Sequence, residues 1–328
     1  MADYSSEKPD ASFRTAIRDL KAVLGDVAHI QDASVTLEQL SRSDDAPKTL
    51  AARPLEGAVF AARPVHGRPE AGFLAFLDGV QRSRVLTFVD GAPIVHGTAA
   101  AVVRERVERR LRTWAHKVEH RVYAPKRHLP PSVWEKLARL SPVDSSAHDA
   151  DEQAPSRHPL AALDRALRMV QQHREDLEQR LAERWCTERN GPIYIDGGIS
   201  GSERVARARC AIGVVKSHRT LYADGEGLSV IFRLAQGERS TLFAIEPSRR
   251  TAVASWYLRL RTAHGHDPSF GLIRVEIARD PAADLADRAD EVSRWLLAEA
   301  APTAMPDSRW DRMAYGIRDS EEFLRAIT

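Results

Sequence analysis

"GFLAFLDG" (72–79) and "GPIYIDGG" (191–198) both end an apolar run in aspartate followed by glycine. Each run reads as a short buried strand, which places Asp78 and Asp196 at strand ends. Asp-Gly also suits a plain turn, and Asp90-Gly91 fits that simpler role between two strands. For Asp78 and Asp196 the apolar run before each acid matters more. If the two strands are neighbours, two carboxylates meet at one edge of a sheet, where they repel each other and resist burial. A divalent cation removes that repulsion, and carboxylate and water ligands suit magnesium or manganese. A pair of such ions can activate water and stabilise both oxygens of an in-line phosphodiester displacement.

Around these two runs the chain reads as mixed α/β. Residues 1–12 form a polar tail, and "FRTAIRDLKAVLGDVAHI" (13–30) has the spacing of an amphipathic helix. Residues 41–70, punctuated by prolines, read as connecting structure. "GFLAFLD", "SRVLTFVDG" and "APIVHG" read as three strands, and residues 98–120 as a long helix with Val102, Val103, Val107, Leu111 and Trp114 on one side. Polar residues dominate 140–159, a flexible insertion, and 160–185 form the clearest helix. "PIYID", "ARCAIGVVKSH", "GLSVIFRL", "STLFAIEP", "AVASWYLRLR" and "FGLIRVEIARD" carry strand patterns. Helices at 284–299 and 318–326 close the chain. The arrangement is one N-terminal segment (1–70) and one domain (71–328), without the regular βαβ alternation of a doubly wound sheet.

The helix at 160–185 offers a third acid ahead of Asp196. Glu175, Glu178 and Glu183 lie on it, the first two one helical turn apart, and spacing alone does not choose between them.

Composition narrows the alternatives. With 48 basic and 46 acidic residues the net charge is +2, which argues against a dedicated nucleic-acid-coating protein but leaves room for an acidic centre with a basic rim. Two cysteines make neither a disulfide framework nor a zinc site. The N-terminus lacks an apolar signal core and no run is long enough for a membrane span, so a soluble, cytoplasmic protein is expected. His116 and His120, read as a solvent-facing helix pair, do not follow the HExxH order. "GGISGS" lacks the Lys-Ser/Thr ending of a phosphate loop.

Asp78-Gly79, then "EDLEQRLAER" ahead of "IYIDGGIS", then "AIGVVKSHR" and "LIRVEIARD", together resemble the NurA-type nuclease family over roughly residues 70–320. The resemblance implies an RNase H-like mixed sheet flanked by helices. It makes Asp78 and Asp196 metal ligands, with Glu178, followed by Leu181-Ala182, as the helical ligand and Glu175 as its alternate. Lys216 corresponds to a family lysine that contacts phosphate or steadies developing charge. The family follows its first Asp-Gly with serine, where this chain has Val80. It carries alanine-histidine near the C-terminus, where this chain has Ala314-Tyr315, which places Tyr315 in the catalytic set as a poor proton shuttle. Arg82, Arg84, Arg204, Lys216, His218 and Arg219 are the candidate DNA contacts, and Trp256 and Tyr257 candidate stacking platforms. The implied activity is Mn2+- or Mg2+-dependent DNA-end processing by a homodimer beside a HerA-type hexameric ATPase, in repair or phage defence. A non-catalytic DNA-binding or ATPase-docking adaptor on the same fold, and an RNA-directed nuclease, are the alternatives.

Overall fold

In the computed structural model, α1 (Ala11–Leu24) turns Phe13, Ile17, Leu20 and Leu24 inward at helical spacing. The residues described are 11–25, 46–147, 158–223, 225–248, 250–264, 266–280, 284–300 and 312–328. Most of the expected polar tail, and residues 148–157 of the expected insertion, lie outside them. The stretch expected to be connecting structure contributes three short strands: β1 (Lys48–Leu50), β2 (Arg53–Pro54) and β3 (Ala62–Pro64).

A three-strand antiparallel meander follows: β4 (Ala75–Val89), β5 (Ala92–Val107) and β6 (Arg110–Ala124). Two expectations are corrected here. "GFLAFLD" and "SRVLTFVDG" are one continuous strand, so Asp78-Gly79 lies inside β4 and not at a turn. Asp90-Gly91 is the turn, both residues having positive φ (49° and 80°) as a tight two-residue hairpin requires. Residues 98–120 are not a helix but the β5–β6 hairpin. From Ala92 to Val103 every residue of β5 is buried, because helices cover both faces of this strand. The alternation that marks a half-exposed strand is therefore missing, and its alanines read as helical. His116 and His120 accordingly lie on a strand.

The chain continues through α2 (Pro131–Leu137), β7 (Val143–Asp144), α3 (Pro159–Glu188), β8 (Ile193–Asp196), α4 (Glu203–Arg207) and β9 (Ala211–Val215). Then come β10 (Thr220–Tyr222), α5 (Gly225–Arg233), β11 (Glu238–Ser240), β12 (Phe243–Ile245), β13 (Val253–Arg259), β14 (Leu272–Ala278), α6 (Leu285–Glu299) and α7 (Tyr315–Ile327). "GLSVIFRL", expected as a strand, is α5. Leu228, Ile231 and Phe232 sit at helical spacing in a run too short for periodicity to decide.

Among the described residues, twelve strands form one sheet whose central order is β6-β5-β4-β8-β9-β14-β13. β4, β5 and β6 are antiparallel; α3 then crosses over so that β8 lies parallel to β4, and β9 parallel to β8. Three antiparallel strands joined through a helix to two parallel ones, in spatial order 3-2-1-4-5, make the RNase H-like arrangement. Alternation along the strands divides the core into two layers. Leu77, Ala99, Ala101, Ile193 and Ile195 face α3 through Leu177, Leu181 and Trp185. Phe76, Tyr194, Ile212 and Val275 face α6 and α7 through Val292, Leu296 and Ile317. Burying side chains of this size contributes about 1.5–3 kcal/mol each. At α7 the contact depends on Gly316, where a Cβ would lie 2.3 Å from ring atoms of Phe76. Among the described residues no helix is long and apolar enough to cross a membrane.

Candidate active site

β8 pairs with β4 only from Ala75 to Leu77 and stops at Asp196, while β4 runs on to Val89. Past Leu77, the edge of β4 that faced β8 carries no strand partner among the described residues. Leu77 is in register with Ile195, so the next residues, Asp78 and Asp196, lie side by side on one face of the sheet at this gap. Asp196 is in turn aligned with Val214, two residues before Lys216. The Lys216 Nζ reaches the Asp196 Oδ2 at 2.7 Å. The Gly79 amide donates to the Asp78 Oδ1 at 2.8 Å.

Glu178 approaches from the opposite face on α3. A Cβ at Gly79 would lie 2.1 Å from the Glu178 Oε1, so the glycine makes room for this carboxylate. Arg174, one turn earlier, holds Glu178 through Nη1 (2.5 Å), touches Glu175 through Nη2 (3.2 Å) and donates from Nε to Gln81 (2.9 Å). Three carboxylates from the first strand, the crossover helix and the fourth strand thus converge on the gap left where β8 ends.

Their charges act on one another. Asp78 is 7% exposed. Burial, followed by Asp196 and Glu178, pushes its carboxyl well above the usual range, while Lys216 and the Gly79 amide pull the other way. Glu178 is pushed up to about 7, first by burial and then by Asp196 and Glu175, against the opposing pull of Arg174. Glu178 and Asp196 open into a cavity of about 420 Å³ whose wall includes Glu175, Gly197, Gly198, Gly201 and Arg250. Asp78 does not line it.

The turn after Asp196 is held from below. Gly197 bridges to Val214, and a Cβ at Gly213 would lie 2.8 Å from the Gly197 carbonyl, so β9 needs glycine there for the turn to fold down. Buried Glu276 accepts the Ile199 amide at 2.8 Å through Oε2 and the Arg274 Nη1 at 2.6 Å through Oε1. The Arg-x-Glu strand therefore supports the backbone that carries Asp196.

The other candidate residues are dispersed. Arg84 is 3% exposed, its guanidinium 4.7 Å above the Phe13 ring, six residues along β4 from Asp78 and covered by α1. Arg82 is half-buried on the same strand, and Arg204 and Arg219 are exposed on α4 and just before β10. His218 donates from Nε2 to the Leu272 carbonyl at 2.9 Å, and burial holds its pKa below the usual histidine value. Tyr315 opens α7 and is 48% exposed, outside the cavity wall. Trp256 and Tyr257, considered as stacking platforms, are fully buried in the core, with the indole Nε1 on the Ser293 Oγ at 3.0 Å.

Sequence reasoning passed over Arg174, although its i, i+4 spacing to Glu178 was a visible signal. It named the Arg-x-Glu strand without seeing what Glu276 holds, because that contact depends on the order of strands in space.

Fold and site together define an RNase H-like α/β protein with a carboxylate cluster at its central parallel strands. No protein-family model matches the chain, and no curated protein matches it. Among solved structures it is similar to the NurA nuclease from Sulfolobus solfataricus, at 10% identity and a TM-score of 0.44 over 96% of this chain and 92% of that one. It is also similar to the catalytic domain of human Endonuclease V, at 14% identity and a TM-score of 0.28 over 97% of this chain and 98% of that one.

Proposed function

We propose that this protein is a metal-dependent DNA nuclease. The observation that carries the reading is the convergence of Asp78, Asp196 and Glu178 on a gap in the sheet, two of them opening into one cavity. As the chain stands, Lys216 and Arg174 hold two of the acids, and among the described residues no three His, Cys, Asp or Glu side chains are gathered closely enough to hold an ion. The donor chemistry nevertheless fits: oxygen ligands only, mutually repelling and partly buried, suit a hard cation such as Mn2+ or Mg2+. Asp78, Asp196 and Glu178 would hold it, with Glu175 as the alternate for Glu178. When bound, such a cation supplies Lewis-acid activation of water and stabilises charge on the phosphodiester oxygens.

The chain's own residues have separable tasks. Lys216, two residues past the end of the register with Asp196, holds that carboxylate now and offers a positive charge to phosphate when the acid is engaged elsewhere. Arg174 keeps Glu178 over Gly79 and must release it, at least in part, for the carboxylate to take a ligand. Glu276 and Arg274 keep the Gly197–Ile199 turn down, which fixes the backbone of Asp196. Arg82, Arg204, His218 and Arg219 remain candidate contacts for DNA farther along the surface, and Tyr315 a candidate contact on the α7 side.

The wider setting we propose is DNA-end processing by a homodimer together with a HerA-type hexameric ATPase, in repair or phage defence. A chain without a phosphate loop needs a separate motor to translocate DNA. A second reading, a non-catalytic adaptor that docks DNA or the ATPase, is favoured by the internal neutralisation of the acids by Lys216 and Arg174.

The deciding experiment is manganese-dependent cleavage of labelled single- and double-stranded DNA and RNA, with and without the ATPase. Asp196→Asn is expected to lower the rate roughly 100-fold or more. Cleavage of RNA alone would redirect the substrate assignment. A wild-type protein inactive under every condition would leave the adaptor.

A further inference from the structure

The cavity holding Glu178 and Asp196 presents negative charge, yet the proposed substrate is a polyanion. Phosphate brought to these acids needs a countercharge fixed nearby. Most polar side chains of the wall are already engaged. Arg174 is spent on Glu178, Glu175 and Gln81. Gln172 donates to Asp176 and Gln179 to Glu183. Lys216, just outside the wall, is on Asp196.

Arg250 is different. It lies on the loop between β12 and β13, lines the same cavity and is exposed, and its side chain makes no hydrogen bond or ion pair with the described residues. The loop is not free to drift at this point. The Thr251 amide donates to the Ser200 carbonyl at 3.0 Å, which fastens it to the turn that follows Asp196. The Arg250 amide donates to the Pro247 carbonyl at 3.4 Å. A guanidinium is thereby held at the mouth of the acid cavity.

The wall beside it is bare backbone. A Cβ at Gly197 would meet nothing within 4 Å, and one at Gly201 only the Gln179 Oε1 at 3.9 Å. Neither glycine is there to relieve crowding within the protein. At Gly197 the φ of 131° calls for glycine in any case, and the result is open space next to Asp196 where a sugar-phosphate backbone can approach closely. Guanidinium is well suited to the opposing role, since its fork of donors matches two phosphate oxygens.

We propose that Arg250 binds a backbone phosphate of the strand to be cut, holding it against the glycine wall opposite α3. This rests on the nuclease reading and adds to it the residue that receives the substrate. The test is fluorescence anisotropy of a labelled single-stranded oligodeoxynucleotide in EDTA, over a series of salt concentrations, with wild type, Arg250→Ala and Arg250→Lys. Arg250→Ala should bind roughly 3- to 10-fold more weakly near ~0.1 M salt, with the log–log salt slope reduced by about 0.7, the value for one phosphate contact on a single strand. Arg250→Lys should keep most of the slope. In manganese, Arg250→Ala should raise KM more than it lowers kcat. Its melting temperature should match wild type, because the side chain is exposed and supports nothing. If wild type binds but Arg250→Ala binds with the same affinity and slope, the assignment of Arg250 is wrong and the nuclease reading stands. If wild type neither binds nor cleaves, the nuclease reading fails and takes this inference with it.

Discussion

Glu175 and Glu178 lie within one turn of α3, and one guanidinium, that of Arg174, touches both. Their surroundings separate them. Glu178 lies over Gly79 with 13% of its side chain exposed, in the field of Asp196 and Asp78, whereas Glu175 is 41% exposed at the cavity rim with Gln171 as a further partner. Glu178→Gln is therefore expected to lower manganese-dependent cleavage roughly 100-fold, and Glu175→Gln by less than about 5-fold. Equal losses in the two variants, measured as initial rates at saturating manganese, would refute this separation. Gly79→Ala tests the same point from the strand. The added Cβ collides with the Glu178 carboxylate, so activity should fall while the melting temperature changes little, because the displaced group is the end of a side chain.

At the scale of elements, the site depends on strands that stop at the right place. β8 is four residues long and ends at Asp196. Its continuation turns down over β9 because Gly213 leaves room and Glu276 takes the Ile199 amide. Gly213→Ala would set a methyl 2.8 Å from the Gly197 carbonyl, a backbone atom that cannot swing aside. Overpacking of this kind costs about 1–3 kcal/mol. We expect a lower denaturation midpoint together with reduced cleavage, although no acid is changed; urea unfolding and a cleavage assay on the same preparation measure both. These elements also show what the sequence could and could not reveal. Apolar runs ending in Asp-Gly exposed both acids, and the clear periodicity of α3 exposed its glutamates. A helix in place of β5 fails because a strand covered on both faces loses its alternation, and the strand end expected at Asp78 fails because the missing side chain of Gly79 makes room for Glu178 on α3. Glu276 and Gly213 act only through neighbours brought together by the strand order, which no local pattern records. Arg84 looked close to Asp78 in sequence, but β4 does not turn after Asp78 and carries it away beneath α1.

For the whole molecule, the acid cluster is a built-in opposition to folding that a cation should relieve. Glu178 has its pKa raised from an ordinary 4.5 to about 7 in the folded chain, chiefly by burial. For a raised acid, the folded state binds more protons than the unfolded state between those two values. Stability from this group is thus fully present below about 4.5 and declines as pH rises to about 7, beyond which the penalty is constant. The full shift corresponds to at most about 3 kcal/mol. Asp78 is displaced in the same direction and adds to the trend. In EDTA, the melting temperature of wild type relative to Glu178→Gln should therefore fall between pH 5 and pH 7.5, since the variant lacks the titrating group. Manganese binds the ionised carboxylates of the folded chain, so its stabilising effect should be larger at pH 7.5 than at pH 5 and should shrink in Asp78→Asn and Asp196→Asn. Calorimetric scans at the two pH values, with EDTA and with manganese, give all of these differences. A wild-type curve parallel to that of Glu178→Gln, with no response to manganese at either pH, would show that the three carboxylates neither share a field nor bind a cation, and would return them to a structural role as partners of Lys216 and Arg174.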